Sequence, residues 1–211
     1  MTMLPNEYFN KDASELARNL LGKVICRILP SLTLYAQIIE TEAYYKHEKG
    51  SHASLGWTAK RAALFMPAGT IYMYYARGKD SFNISSYGEG NAVLIKACVP
   101  YAQAPNYEAM IDHMQYLNPL GERKRQPHFL LSGQTLLCQA LNIKVTEWDK
   151  RSFDPQALCI QDIGYFPKKI TVTPRLGIPL GRDEHLPYRF IDAAYSRFAS
   201  RGRMNSSEVA T

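Results

Sequence analysis

The chain has 211 residues, 46% of them hydrophobic, with a formal charge of +6 at neutral pH and an isoelectric point near 9.1. This length and apolar content suit one buried core, so a single domain spanning residues 1–198 is expected, and the basic balance favours polyanionic partners. The four cysteines, Cys26, Cys98, Cys138 and Cys159, stand far apart with no CxxC or CxxH pairing, which argues against a zinc site or disulfide framework and for a reducing cytoplasm.

The start, MTMLPNEYFN, lacks the charged-then-apolar pattern of an export signal. The longest uncharged stretch, 62–76, is broken by Pro67 and Gly69 and reads as core rather than as a membrane span. Asp12 or Ser14 caps a first helix whose apolar positions Leu16, Ala17, Leu20 and Leu21 share one face, and Gly22 stops it. Residues 23–29 (KVICRIL) and 33–45 then read as antiparallel strands turning at Pro30 and Ser31. A polar loop over 47–61 carries His52. Strand 71–76 follows, with a hairpin turn at Arg77, Gly78, Lys79 and Asp80 and a return over 81–86. Residues 91–99 (NAVLIKACV) form a buried strand with one charge, Lys96. Helices over 106–117 and 134–141 flank a basic loop holding Arg123, Lys124 and Arg125. Late strands are expected at 158–163, 170–173 and 187–191, and residues 199–211 are expected to form a disordered polar tail. Strands dominate and helices are peripheral, so the expected fold is α+β: a curved antiparallel sheet flanked by helices, with a protruding hairpin.

The run IIETEAYY over 38–45 concentrates chemistry. Strand alternation puts Glu40, Glu42 and Tyr44 on one face, and predicts that Leu34, Ala36 and Ile38 continue it. A carboxylate at the end of a half-buried strand beside a flat ring suits a general base meeting a planar substrate; a solvated strand end is the plainer alternative. In 71–83 (IYMYYARGKDSFN), Tyr72 and Tyr74 share one face and Met73 and Tyr75 the other, leading to the cations Arg77 and Lys79. Rings above a cationic tip suit a nucleic-acid groove, or else form an ordinary hairpin. Lys96, among apolar neighbours, either pairs with an acid such as Glu42, acts as a Schiff-base amine, or snorkels to solvent. His52 has no second histidine at ligand spacing, which favours a hydrogen-bonding role over a metal site. No phosphate-binding loop, dinucleotide fingerprint or nucleophile elbow occurs.

The run ETEAY at Glu40–Tyr44, His52, FMPAGTIYMY at 65–74, FNISS at 82–86 and GEGNAVLIKA at 88–97 together resemble the alkyladenine (3-methyladenine) DNA glycosylase family. LARNLLGK from Leu16, LCQALNI at 137–143, RLGI at 175–178 and PYRF at 187–190 extend the resemblance over roughly 8–192. It implies a monofunctional enzyme, acting as a monomer on double-stranded DNA, that flips a damaged purine outward and hydrolyses its glycosidic bond without metal or cofactor. It implies that Glu42 activates the water with Lys96 nearby. Tyr44 would stack on one side of the base, with His52 and Tyr74, backed by Tyr72, on the other. Asn83 would form the floor that disfavours guanine's amino group, and the hairpin with Tyr75, Arg77 and Lys79 would enter the minor groove. Alkylated and deaminated purines remain unranked as substrates, and a non-catalytic lesion-binding protein is the alternative. Three features depart from the family: Lys96 stands for an arginine, Arg77 for an aromatic wedge in a hairpin one residue short, and the stretch from Ser132 to Leu137 lacks a proline after its glycine.

Overall fold

A twelve-residue strand, Thr33–Tyr44, runs through the centre of the sheet and is its longest element. The computed structural model describes residues 1–201. In chain order the strands are β1 (Thr2–Met3), β2 (Val24–Ile28), β3 (Thr33–Tyr44), β4 (Ile71–Ala76), β5 (Lys79–Ser85), β6 (Ala92–Pro100), β7 (Leu158–Asp162), β8 (Ile170–Thr173) and β9 (Arg189–Asp192). The main path is β1-β7-β2-β3-β6-β5-β4, with β9 also pairing β3 and carrying β8 outside it. Every strand pairing among the described residues is antiparallel. With helices α1 (Ala13–Leu20), α2 (Tyr107–Leu117), α3 (Gln134–Ala140) and the short α4 (Val145–Trp148), this is an α+β domain.

Helix α1 forms where the sequence places an amphipathic run behind a cap. The Asp12 carboxylate accepts from the amides of Ser14 and Glu15 at 2.9 and 3.3 Å, and Ala13, Leu16, Ala17 and Leu20 are buried. The turn after it needs Gly22, whose φ is +85° and where a Cβ would collide with the Tyr165 ring. Helix α1 packs on β3 and β6, while α3 packs on β5 and β6.

Between β3 and β6 the ladder is irregular twice. Ile38 pairs with Cys98 and Glu40 with Ala97, leaving Ile39 unpaired; Thr41 then pairs with Ile95, leaving Lys96 unpaired. One extra residue in a strand exchanges its two faces. The expected continuity of Leu34, Ala36 and Ile38 with Glu42 is therefore overturned. Those three and, beyond the bulge, Ala43 belong to the main core, and Thr41 donates to the Ala17 carbonyl of α1 at 2.8 Å. Ile39 turns instead to Ala97, Val99, Tyr195 and Phe198. At the same point the neighbour of β3 changes from β2, paired through Gln37, to β9, paired from Glu40 to Glu42.

Two further sequence readings change. The hairpin turn is two residues rather than four: Arg77 and Gly78 both have positive φ, 53° and 78°, and β5 begins at Lys79. A left-handed arginine costs about 1–2 kcal/mol. Cys26 and Cys159, distant in sequence, are register partners on β2 and β7 and remain free thiols. The expected tail lies mostly outside the described residues. Within them, the Ser200 amide donates to Glu40 Oε2 at 2.6 Å, and the Ser200 carbonyl accepts from Arg189 at 2.7 Å.

Glu40 is wholly buried and meets Arg189 Nε at 2.6 Å. Burial pushes its carboxyl above the ordinary value, against the pull of Arg189 and the Ser200 amide. Glu40→Ala would strand a buried guanidinium and is expected to destabilise the fold by about 3–5 kcal/mol. Urea denaturation should show this, and the paired replacement Glu40→Met with Arg189→Leu should recover most of the loss.

Candidate active site

The exchange of faces at the bulge brings Glu42 and Tyr44 to one side and turns Lys96 towards them. Glu42 is fully buried, and each of its oxygens is held. Oε1 accepts from the Leu176 amide at 3.0 Å and lies 3.2 Å from Lys96 Nζ; Oε2 accepts from the Tyr44 hydroxyl at 2.7 Å and lies 3.4 Å from the same ammonium. Lys96 thus neither snorkels nor stands free. Its Nζ also donates to Gln134 Oε1 at 3.1 Å, and Gln134 Nε2 reaches Ser81 Oγ at 3.3 Å and Tyr74 Oη at 3.5 Å. With these partners the buried ammonium serves as a counter-ion to Glu42.

A second buried pair supports Tyr44 from behind. Arg175 forms an ion pair with Glu48, donates to the Ala43 carbonyl at 2.9 Å, and lies over the Tyr44 ring at 4.5 Å. The Tyr44 phenol is held well above its ordinary pKa by burial, then by the Glu42 charge. Facing it across a cavity of about 1110 Å³ are His52, Tyr72, Tyr74 and Asn83. Tyr72 and Tyr74 are stacked with centroids 5.7 Å apart, and the His52 ring meets Tyr74 edgewise at 4.5 Å. Tyr72 is buried, its hydroxyl 2.9 Å from His52 Nδ1, so it braces the pair. Asn83 is fixed by donating to the Tyr72 carbonyl at 3.1 Å.

Arg77 and Lys79 line the cavity from the hairpin, joined by Arg182 and Arg201. Among the described residues no aspartate or glutamate lines it, so the mouth presents cations to an incoming polyanion. Tyr75, 57% exposed, is not among the lining residues; strand alternation sends it to the face opposite Tyr74. Glu42 too is absent from the lining, sealed beneath Tyr44 and Lys96. Sequence reasoning did not single out Gln134, Glu48, Arg175 or the Leu176 amide. The available signal was the charge in RLGI and the polar residue opening a helix after Gly133. The described residues hold no cluster of three His, Cys, Asp or Glu side chains able to bind a metal, and no helix long and apolar enough to cross a membrane.

Residues 7–196 match the family described as Methylpurine-DNA glycosylase (MPG). A Pseudomonas savastanoi pv. phaseolicola protein, provisionally named 3-methyladenine DNA glycosylase, is 56% identical over 207 residues, covering 98% of this chain and 93% of its own length. A Pseudomonas aeruginosa protein of the same provisional name is 54% identical over 98% of this chain and 87% of its own length. A third, from Methanocella arvoryzae, is 32% identical over 91% and 93%. The chain belongs to the methylpurine-DNA glycosylase family.

Burial, then the cations Arg61 and Arg182, hold His52 below its usual 6.5. A lowered value in the folded state means that the neutral ring's contribution is complete above pH 6.5 and is lost as the pH falls through the lowered value. The melting temperature should therefore drop more between about pH 7 and about pH 5 in the wild type than in His52→Asn. Parallel thermal scans of the two proteins check this.

Proposed function

We propose that this chain is a monofunctional DNA glycosylase that turns an alkylated purine out of duplex DNA into the cavity and hydrolyses its glycosidic bond. The observation that carries this reading is the Glu42 carboxylate, buried and kept in place by Lys96, Tyr44 and the Leu176 amide beside an aromatic-walled cavity. Tyr44 would lie against one face of the flipped base, with His52 and Tyr74 at the other, and the depth bounded by Asn83 would disfavour guanine's exocyclic amino group. An alkylated purine is electron-poor and, when cationic, leaves readily, so the protein supplies a shaped stack and a base rather than strong acid catalysis. The Lys96 ammonium is committed to Glu42 and Gln134, which favours hydrolysis over a Schiff-base route. Deaminated purines share the flat shape and form a second substrate class in this reading.

At the hairpin tip, the exposed Arg77 would enter the minor groove and neutralise phosphate. A lesion-binding protein without catalysis is the competing reading, since lysine and arginine replace the arginine and aromatic side chains the family resemblance implies at 96 and 77. Two experiments address these assignments. Glu42→Gln should lower release of free base from a methylated duplex by about a hundredfold or more while lesion binding survives; an unchanged rate would remove Glu42 from the chemistry, and no release by the wild type would favour the binding protein. Arg77→Ala should reduce the slope of log affinity against log salt by about one, the contribution of one phosphate contact.

A further inference from the structure

Residues 193–201 are fastened to the sheet along their whole length. Asp192 opens the short helical turn over Ala193–Phe198 by accepting from the Ala194 amide at 3.0 Å, and Ser132 Oγ donates to the Phe198 carbonyl at 2.6 Å. Ala199 is buried. Both main-chain polar groups of Ser200 are then taken up by the Glu40–Arg189 ion pair. The Ser200 amide donates to Glu40 Oε2 at 2.6 Å, and its carbonyl accepts from Arg189 at 2.7 Å. A buried ion pair is costly unless its remaining polar atoms find partners, and here main chain supplies them. With the N–H and C=O of Ser200 both held, the direction in which the chain continues is set, and the next residue is Arg201. We infer that residues 193–201 form a DNA-binding strap, in which Arg201 and Arg197 hold the lesion strand's backbone beside the flipped nucleotide. The inference rests on the glycosylase reading and adds a second contact surface to it.

Arg201 stands where two hollows meet. It lines the large cavity, and also a smaller pocket of about 300 Å³ formed with His128, Phe129, Arg197 and Phe198. The small pocket has aromatic walls: the Phe198 ring lies 5.0 Å from that of His128 and 6.0 Å from that of Phe129. The Arg197 guanidinium lies over the Phe198 ring at 4.5 Å, and both arginines are exposed. Among the described residues no aspartate or glutamate lines either hollow. Rings with cations beside them complement a deoxyribose and its phosphate, the sugar resting on the rings and the phosphate meeting the guanidiniums. A strand whose base enters the large cavity carries the neighbouring phosphates across its rim, where Arg201 joins the two hollows. Such contacts place the duplex without reading its sequence, which suits an enzyme that must find a lesion in any context. Fixing the main chain at Ser200 also reduces the freedom lost when Arg201 takes hold.

The test is binding, over a range of salt, to a duplex carrying one 2′-fluorinated 7-methylguanosine, whose glycosidic bond resists hydrolysis. Arg201→Ala and Arg197→Ala should each lower the slope of log affinity against log salt by about one, and the double variant by about two. Arg201→Lys keeps the charge and should keep the slope. Methylphosphonates, which remove one phosphate charge at a time, locate the contact. The position whose neutralisation weakens wild-type binding by about tenfold should cost Arg201→Ala nothing further. Unchanged slopes in both single variants overturn the strap. So does a slope lost equally in Arg201→Lys, since the effect would then be one of shape rather than charge. Release of free base from the unfluorinated duplex by the wild type separates the two readings. Excision with unchanged slopes sinks the strap alone, whereas no release sinks the glycosylase reading and leaves the slopes to decide the strap as a DNA contact.

Discussion

Two unpaired residues in one strand pair, Ile39 on β3 and Lys96 on β6, set up the site. In an uninterrupted ladder, alternation would continue the apolar row of Leu34, Ala36 and Ile38 into Glu40 and Glu42 and drive both carboxylates into the main core. The bulge on β3 prevents this by exchanging the faces, and the bulge on β6 turns Lys96 to the same side. Both acids and the cation then meet away from α1, where Thr41 and Ala43 take their places in the core. A bulge beside a functional site is a common device for re-aiming a side chain. Here it re-aims two strands at once.

The charges this gathers are not left bare. Glu40 takes Arg189, Glu42 takes Lys96 and Glu48 takes Arg175, with all three carboxylates buried. A buried carboxylate without a cation is costly, so each of the three has one within ion-pair distance where water is scarce. The pairs also hold distant segments together. Arg189 and Glu40 fasten Ser200, and Arg175 brings its loop against Tyr44 with the Leu176 amide on Glu42. The wall of the cavity is thus built by ion pairs as much as by apolar packing.

The two walls differ in kind. Tyr44 is supported by a cation behind it and anchored by its hydroxyl. Opposite, His52 and Tyr74 are supported by Tyr72, a neutral aromatic brace. Gln134 joins the walls by contacting both Lys96 and Tyr74, so an N-terminal residue of α3 couples the ion pair to the stack. Where the family resemblance implies an arginine at 96, the lysine here reaches a glutamine from the stretch that lacks the family's proline.

The sequence by itself determined the elements that local chemistry specifies. The cap at Asp12, the glycine stop at Gly22, the alternation through β4 and the local antiparallel pairs β2–β3 and β4–β5 all follow from propensity and period, and ETEAY, His52 and FNISS carried the family resemblance. Glu42, Tyr44, His52, Tyr74 and Asn83 were legible because each sits inside such a run. Only the tertiary structure decided which face Glu42 occupies, since one extra residue reverses a strand and leaves no mark in composition. It alone decided that Lys96 pairs with Glu42, and that Gln134, Arg175 and the Leu176 amide complete the site. Those contacts join residues 38 to 134 positions apart, and no local period records them. Propensity acts between neighbours, whereas a buried charge finds its partner only once the chain has folded around it.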